Sequence, residues 1–378
     1  MVKVNRGFRS IGTYLFEDLR QKAATKGNEL IQLVTGNPDI ETPSGIRNAV
    51  AKVVHEYYPN PPSTGTDELR EAISTYYRSR FGVELPPANI IIGHGTKSDL
   101  WDIGRVFSNP QEKYIIPDPT YSIITDSGYF ENRMVKFVQF TEDKWIIPDE
   151  FFDDSIALIY LCNPNNPNGV VTNTAGILDI VSKARNADAL VVSDIVYADF
   201  QLLGINKSPS VFQVEEARDV AVELGGFKVY SMTGYRISWL ATLNDRIAQY
   251  WKRFKSNRDK GTPVYTQVAA LAALTDISVQ EEIKQNLKKY RERAVILREG
   301  FGRMGLKVHG LDNTPFAWVE VPSGTKSNEF ADKLLKEASV LIVPGTSFGK
   351  GGEGYFRVSI FAKKEEIKEA LTRIESVI

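Results

Sequence analysis

The chain has 378 residues and the composition of an ordinary globular protein. Hydrophobic residues make up 42% and charged residues 25%, and 46 lysines and arginines nearly balance 47 aspartates and glutamates, for a net charge of −1. This composition excludes disordered and collagen-like chains, and the balanced charge argues against a broadly electrostatic nucleic-acid binder. At about 150 residues per domain, the length predicts two or three domains.

The sequence shows no sign of a membrane span, a leader or a metal site. No run approaches the roughly 18 apolar residues of a membrane helix, and the N-terminal stretch MVKVNRGFRS has no apolar core of a signal peptide. We therefore expect a cytoplasmic protein without membrane or nucleic-acid partners. Cys162 is the single cysteine, and His55, His94 and His309 are not at metal-ligand spacing, so we expect neither an intrachain disulfide nor a metal site.

Helices and a loop are predicted in the first third of the chain. Thr42 and Pro43 precede apolar residues at helical spacing, which predicts a helix with Thr42 as its N-cap and Pro43 at its first position. The segment 58–65, YPNPPSTG, contains three prolines and must be a loop. A second amphipathic helix is predicted from about Thr66.

The middle of the chain predicts the main α/β domain. Short apolar runs between residues 90 and 241 alternate with helical or loop stretches, a pattern typical of a largely parallel sheet covered by helices on both faces. The last third is richer in helix, with only a few strands, and indicates a smaller α+β domain. We predict a large domain at 42–275 and a small domain formed by 1–41 with 276–378.

Polar residues follow several of these strands, at the edge where open α/β sheets bind their ligands. Chance would supply one or two such groups, whereas this number together predicts a site. The groups, in chain order, are His94–Lys97, Asn163–Gly169, Asp194 with Tyr197, Gly225–Lys228 and Thr233–Arg236.

Two glycine-rich segments superficially suggest a nucleotide site. Residues 93–98, GHGTKS, have serine where a dinucleotide fingerprint needs its third glycine, and no acidic residue follows at the required distance. Residues 345–351, GTSFGKG, are one residue short of a phosphate loop and end in glycine where serine or threonine must hold magnesium. We reject both interpretations.

The polar groups match what pyridoxal phosphate requires. That cofactor needs a lysine for its covalent link, a carboxylate to keep its ring nitrogen protonated, and donors for its phenolic oxygen and its phosphate. An amino-acid substrate also needs a bidentate partner for its carboxylate, which favours arginine over lysine.

The sequence closely resembles the class I/II aminotransferases of the fold type I pyridoxal-phosphate superfamily, from about Leu33 to Ile374. The segment 228–236, KVYSMTGYR, resembles the cofactor-lysine signature of that family. The blocks NPNNPNG at 163–169, DIVY at 194–197, YFRVS at 355–359 and GNPD at 36–39 resemble further family motifs. The resemblance implies an α/β fold with a mostly parallel central sheet, a smaller α+β domain and a homodimer.

The resemblance also implies a role for each residue that matches a family motif. Lys228 would be the catalytic residue that bonds to the cofactor and moves protons. Arg357 would bind the substrate carboxylate, helped by Asn166 and the backbone of Gly36. The implied cofactor-binding residues are Gly95, Thr96, Lys97, Tyr121, Asn166, Asp194, Tyr197, Lys228 and Arg236, with Tyr58 reaching the phosphate of the neighbouring subunit.

Simpler structural explanations exist for the individual residues. Asp194 alone would serve as a helix cap, Arg357 as a surface charge at a strand edge and Tyr121 as a core residue. Thr96 and Lys97 would equally suit a solvated turn. It is their occurrence together, in the order of the family motifs, that favours the functional interpretation.

The chain departs from the family near its lysine. The usual serines three residues and one residue before the lysine are replaced by Gly225 and Phe227, the usual threonine of the Asn-Pro block by Asn168, and the usual glycine before Trp239 by Ser238. From the sequence we expect Gly225→Ser to tighten cofactor binding by a few-fold to about tenfold, because a serine hydroxyl would donate to the phosphate.

We predict a pyridoxal-phosphate-dependent aminotransferase that moves an amino group from an amino acid to a 2-oxo acid. The stretches at 83–85, 255–261 and 351–357 most resemble aspartate/alanine-type and LL-diaminopimelate-type enzymes. Aspartate or another small or dicarboxylic amino acid is the first candidate substrate, and LL-diaminopimelate is the second. A β-lyase or decarboxylase of the same fold remains an alternative, as does a regulatory domain that binds the cofactor without catalysis.

Overall fold

The computed structural model describes residues 29–140, 144–204 and 207–378, together with residues 2–4, 7–12, 17, 19 and 21. The described chain forms a seven-stranded sheet, a four-stranded sheet and a two-stranded pair, with helices packed against them. Candidate site residues come from all three groups of strands.

The seven-stranded sheet is built from the apolar runs of the middle of the chain. Its spatial order is β2-β8-β7-β6-β5-β3-β4. Strand β8 is antiparallel to both of its neighbours, and the other pairs are parallel. The predicted α/β class with a mostly parallel central sheet is therefore confirmed. The strands are β2 (Ile90–Gly93), β3 (Lys113–Asp118), β4 (Met134–Gln139), β5 (Ile156–Cys162), β6 (Leu190–Asp194), β7 (Ala221–Gly226) and β8 (Ser238–Ala241).

The smaller sheets combine the two ends of the chain. The parallel pair joins β1 to β11, and the antiparallel sheet has the order β12-β13-β10-β9. These strands are β1 (Ile31–Gln32), β9 (Val308–His309), β10 (Phe316–Glu320), β11 (Val340–Leu341), β12 (Val343–Pro344) and β13 (Tyr355–Ser359).

The helices follow the predicted amphipathic segments closely. The longest has 27 residues, and the helix near residue 330 continues into a wider turn at Leu334–Ala338. The α-helices are α1 (Ser44–Val53), α2 (Asp67–Phe81), α3 (Thr96–Phe107), α4 (Ile123–Phe130), α5 (Thr174–Asn186), α6 (Asp245–Arg258), α7 (Val264–Thr275), α8 (Ile277–Arg303), α9 (Ser327–Lys333) and α10 (Lys364–Glu375).

The predicted start of the first helix is wrong by one residue. Pro43, and not Thr42, is the N-cap of α1, and it makes no side-chain cap. The Thr42 hydroxyl instead donates to the carbonyl oxygen of Ser231 at 2.8 Å, so a tertiary contact has replaced the local one. Helix α2 starts at Asp67, close to the predicted start at Thr66, and the Thr66 hydroxyl caps it by accepting from the Leu69 amide at 3.4 Å.

Strand direction determines where the polar residues meet. Every residue of β5 is buried, as its continuous apolar run predicts. The carboxyl ends of β2, β3, β5, β6 and β7 lie at one edge of the sheet, and antiparallel β8 begins there. Among the described helices, none combines the length and the apolar character that a membrane crossing requires. The predicted division into domains at 41–42 and 275–276 stays a prediction.

Candidate active site

A cavity of about 400 Å³ opens at this edge of the main sheet. Strand ends of the main sheet supply one side of it, and the N-terminal segment 32–37 and strand β13 supply the other. Most of the residues predicted from the sequence line it. They are Gly36, Thr96, Lys97, Tyr121, Asn166, Asp194, Tyr197, Lys228, Arg236 and Arg357.

Lys228 follows β7 and points its amine toward the end of the neighbouring strand. Its Nζ donates to the Tyr197 hydroxyl at 2.9 Å and lies 4.4 Å from the centre of that ring. Burial lowers the pKa of the Lys228 amine to about 8, against the opposing effect of the Asp194 carboxylate. A fraction of the amine is therefore neutral near physiological pH, as a lysine nucleophile requires.

Asp194 ends β6 and is 4% exposed. Its Oδ1 accepts from the Val196 amide at 3.1 Å, and its Oδ2 accepts from the Tyr160 hydroxyl at 3.3 Å. Burial raises the pKa of the Asp194 carboxyl to about 6. A buried carboxylate of this kind is stabilised by a cationic N–H donor placed beside it, and a protonated pyridine nitrogen is such a donor.

Asn166 connects the main sheet to the smaller one. Its Nδ2 donates to the Tyr197 hydroxyl at 3.3 Å, and its Oδ1 accepts from Nη1 of Arg357 at 3.0 Å. The Tyr197 hydroxyl thus lies between the Asn166 amide and the Lys228 amine. These contacts bring motifs from residues 166, 197, 228 and 357 into one network.

Arg357 on β13 is 1% exposed and is held rigidly. Its Nη2 donates to the carbonyl oxygen of Val34 at 2.8 Å. Its guanidinium carbon lies 4.1 Å from the ring centre of Phe316 and 4.8 Å from that of Phe348. Two aromatic faces therefore fix the plane of the guanidinium, and a fixed plane is what bidentate binding of a carboxylate requires.

Tyr121 lines the cavity from the loop after β3. The preceding amide of Thr120 donates to the carbonyl oxygen of Phe348 at 2.9 Å, and the Thr120 hydroxyl donates to Oδ1 of Asn165 at 3.0 Å. The loop that carries Tyr121 is therefore tied both to the Asn-Pro block and to the loop that packs on Arg357.

The N-terminus of a helix and an arginine form the anion-binding end of the cavity. Gly95 is the N-cap of the 12-residue helix α3, and no side chain caps this terminus. A Cβ atom on Gly95 would lie 2.6 Å from Nη2 of Arg236, and the φ of Gly95 is +96°. Two features therefore favour glycine at position 95: the positive φ and the close approach of Arg236. Because glycine has no side chain, the guanidinium can lie close to the helix N-terminus. A helix N-terminus beside an arginine is suited to a phosphate.

Gly225 does not face this anion-binding end, so the structure contradicts the premise of the Gly225→Ser prediction, namely that a serine hydroxyl there would reach the phosphate. A Cβ atom on Gly225 would lie 2.0 Å from Cζ2 of Trp239, inside the core. The adjacent Gly226 is the residue beside Thr96, because a Cβ there would lie 3.5 Å from the Thr96 Cγ2. Phe227 packs on Trp239 with ring centres 5.3 Å apart and fills the space behind the lysine.

Tyr58 does not line the cavity of its own chain. Its hydroxyl donates to the Glu56 carboxylate at 2.9 Å. The role predicted for Tyr58 concerns a second subunit and is separate from this cavity. Gly36 does line the cavity, as the resemblance implies, beside Val34.

Several site residues were not predicted from the sequence. Tyr160 and Cys162 line the cavity from alternate positions of β5, where the apolar run suggested only core. Period-two alternation would have placed both on one face of the strand. Phe316, Phe348 and the Val34 carbonyl surround Arg357 through tertiary packing, for which the sequence carries no local signal.

A lysine with a lowered pKa, a buried carboxyl, the start of α3 with Arg236, and a buried arginine all face one cavity. Gly95 does not line the cavity itself, but its lack of a side chain lets the Arg236 guanidinium approach the N-terminus of α3, a pairing suited to a phosphate. The residues present therefore fit the cofactor.

The family model for "Aminotransferase class I and II" matches residues 28–374, and the chain belongs to that family. Members of this family depend on pyridoxal phosphate, so the protein is a pyridoxal-phosphate-dependent aminotransferase acting on amino and 2-oxo acids. The resemblance stated from the sequence is thereby confirmed.

Curated relatives match along the whole chain. The LL-diaminopimelate aminotransferase of Aquifex aeolicus is 32% identical over 96% of this chain and 96% of its own length. That of Moorella thermoacetica is 31% identical over 99% of this chain and 98% of its own. Among solved structures, an aspartate aminotransferase of Thermus thermophilus with maleate has a TM-score of 0.91 at 24% identity and 100% coverage of both chains, which supports the fold.

Proposed function

We propose that this aminotransferase takes its amino group from LL-diaminopimelate and passes it to a 2-oxo acid. The observation that carries the proposal is the convergence of Lys228, Asp194 and Arg357 on one cavity in a chain whose full-length relatives bear that name. Aspartate, the first candidate from the sequence, is the competing donor. The names of the relatives favour LL-diaminopimelate, which was the second candidate from the sequence.

The site residues divide by the part of the cofactor that they would hold. Asp194 would pair with the ring nitrogen, and Asn166 with Tyr197 would bind the phenolic oxygen. Tyr121 would stack on the ring. The phosphate would bind at the start of α3, facing Arg236, where Gly95 leaves room and Thr96 and Lys97 would bind it. When bound, pyridoxal phosphate supplies the electron sink that stabilises negative charge at the substrate α-carbon.

Lys228 would carry the proton chemistry. Its amine would act first as a general base, taking the proton from the substrate α-carbon, and then as a general acid, giving that proton up again. The Tyr197 hydroxyl, 2.9 Å from Nζ, would orient the amine. Arg357, aided by Asn166 and the Gly36 backbone, would hold the substrate carboxylate so that the α-carbon faces Lys228.

The remaining lining of the cavity supports a substrate with a polar far end. Gln32, Thr35 and Asn37 line the cavity next to Gly36, in addition to the groups already assigned. Amide and hydroxyl groups can both donate and accept, so they suit an ammonium and a carboxylate on the same substituent. LL-Diaminopimelate has such a second amino-acid group, whereas aspartate has a carboxylate alone.

A panel of amino donors tests the proposal. Purified holoenzyme is mixed with LL-diaminopimelate, aspartate or alanine, and loss of the cofactor absorbance in the first half-reaction is followed, with Lys228→Ala as the inactive control. We expect LL-diaminopimelate to react with the highest kcat/KM. A preference for aspartate would overturn the substrate assignment, and release of ammonia with pyruvate or of carbon dioxide would favour a lyase or decarboxylase.

We also infer that the enzyme is a cytoplasmic homodimer in which Tyr58 reaches the phosphate of the partner. The neighbouring Tyr57 is 90% exposed, which supports an interface for this aromatic loop. Sedimentation of the holoenzyme should give twice the chain mass of 42.3 kDa. Tyr58→Phe should weaken cofactor binding without dissociating the dimer, and a fully active monomer would contradict the inference.

A further inference from the structure

A buried serine links Gly95, the residue before α3, to Asp99 in the first turn of that helix. The Gly95 amide donates to the Ser238 hydroxyl oxygen at 2.8 Å, and that hydroxyl donates to Oδ2 of Asp99 at 2.5 Å. Ser238 is 0% exposed and Asp99 is 4% exposed, so solvent does not compete for either bond. The family resemblance places a glycine at position 238, which can make neither bond.

The fit around these two side chains is close. Gly93 of β2 is the register partner of Ser238 on β8. A Cβ atom on Gly93 would lie 2.2 Å from Oδ2 of Asp99 and 2.6 Å from the Ser238 hydroxyl. The carboxyl and the hydroxyl therefore lie directly against the Gly93 backbone, and the turn from Gly93 to Gly95 is held at both of its ends.

This arrangement determines which backbone groups face the cavity. The Gly95 amide is committed to the Ser238 hydroxyl. Thr96 and Lys97 open α3, and the first-turn amides of a helix point outward from its N-terminus. The direction of the Gly95 amide thus sets the direction of the helix terminus that faces Arg236.

We infer that Ser238 and Asp99 are positioning residues that orient the phosphate-binding turn. The inference rests on the phosphate placement under the proposed function. In this chain Ser238 and Asp99 would hold the phosphate-binding turn in place. Gly225 on β7 is directed into the core and would not contribute to this turn. If the Ser238 hydrogen bonds served the fold alone, their loss would lower the stability of the protein. It would not weaken the binding of a ligand with a phosphate more than the binding of the same ligand without one.

The test compares pyridoxal phosphate with pyridoxal, which lacks the phosphate. Full-length apoprotein of the parent and of Ser238→Ala is titrated with each ligand, and the dissociation constants are measured by absorbance. We expect Ser238→Ala to raise the dissociation constant of pyridoxal phosphate about tenfold, equivalent to roughly 1.4 kcal/mol, and that of pyridoxal by less than about twofold. Inorganic phosphate should compete correspondingly less well.

Ser210→Ala is the matched control. Ser210 is also 0% exposed and donates to a buried carboxylate, Oε1 of Glu223, at 2.7 Å, but it does not line the cavity. We expect this variant to unfold at a lower temperature and to bind both ligands as the parent does.

Asp99 provides a second, independent variant. Asp99→Ala removes the acceptor of the Ser238 hydroxyl, whereas Asp99→Asn keeps an oxygen at that place. We expect Asp99→Ala to repeat the selective loss of pyridoxal phosphate affinity and Asp99→Asn to recover most of it. Equal losses for both ligands, or no loss, in Ser238→Ala and Asp99→Ala would overturn the inference.

Arg236→Ala separates this inference from the phosphate placement itself. If Arg236→Ala leaves the preference for pyridoxal phosphate over pyridoxal unchanged, the phosphate placement fails. If Arg236→Ala abolishes the preference for pyridoxal phosphate over pyridoxal, the phosphate placement holds. If Ser238→Ala then retains that preference, the positioning role of Ser238 is refuted.

Discussion

Gly225→Ala is expected to destabilise the protein, whereas Gly226→Ala, one residue further along β7, should be tolerated. A Cβ atom at position 225 would lie 2.0, 2.2 and 2.7 Å from three atoms of the Trp239 ring. At position 226 the nearest atoms, on Thr96 and Val196, are 3.5 Å away. The two variants add the same methyl group to the same strand, so the comparison isolates the contact with the indole.

The magnitude follows from how firmly Trp239 is held. The side chain is 3% exposed, and its Nε1 donates to the Tyr77 hydroxyl at 3.2 Å. Overpacking a core costs about 1–3 kcal/mol, and moving the ring also loses a hydrogen bond of about 1 kcal/mol. For a chain of 378 residues, a total of about 3 kcal/mol corresponds to roughly 3–5 °C in Tm.

Thermal unfolding of the cofactor-free proteins measures this effect. Gly225→Ala should unfold roughly 3–5 °C below the parent, and Gly226→Ala within about 1 °C of it. In a Trp239→Leu background the penalty of Gly225→Ala should largely disappear, because the clashing atoms are gone. Identical Tm values for Gly225→Ala and the parent would show that the indole does not lie against this glycine.

Three further predictions concern the candidate site. Lys228→Ala should leave no cofactor covalently attached after borohydride reduction, and a labelled peptide from any other lysine, found by mass spectrometry, would contradict the assignment. Asp194 has a pKa of about 6 in the folded apoprotein against 3.8 for the ordinary carboxyl, so its contribution to stability is full below about pH 4 and is lost as the pH rises through 6. That interval corresponds to about 3 kcal/mol, so in urea unfolding at pH 8 the apoprotein of Asp194→Asn should be more stable than the parent by up to this amount, and equal midpoints would refute the burial argument. Arg357→Lys keeps the charge but loses the bonds to Asn166 and Val34, so KM should rise roughly ten- to hundredfold for every amino acid; unchanged KM values in steady-state assays would remove Arg357 from the substrate site.

The sequence predicted those site residues that lie at the carboxyl ends of strands. Lys228 follows one apolar strand and Asp194 ends another. Parallel strands bring their carboxyl ends to one edge, so spacing predicted where these residues lie, and the family resemblance implied their roles. The surroundings of Arg357 could not be predicted in this way. Phe316 begins strand β10, and Phe348 lies in the segment between β12 and β13. Both reach the guanidinium by tertiary packing, and neither carries a local pattern that distinguishes it from core.

The glycines show a second limit of sequence reasoning. A family motif indicates which residue type is missing at position 225, but the direction of a strand side chain depends on register with the neighbouring strand. Here Gly225 pairs with Trp239, and the indole occupies the space that a side chain would need. Likewise Thr42 had the residue type of a helix cap, but its hydroxyl found a tertiary acceptor, the carbonyl oxygen of Ser231.

The arginine that would grip the substrate also fastens the beginning of the chain to its end. Arg357 binds the Val34 carbonyl across 323 residues of sequence, and the Ser359 amide donates to the Leu33 carbonyl beside it. Contacts that close such long loops form late, because the entropy of the intervening chain must be overcome first. During translation, Asp194 and Lys228 leave the ribosome well before Arg357 does. The nascent chain therefore gains the residues that would hold its cofactor before the arginine that would bind the substrate carboxylate.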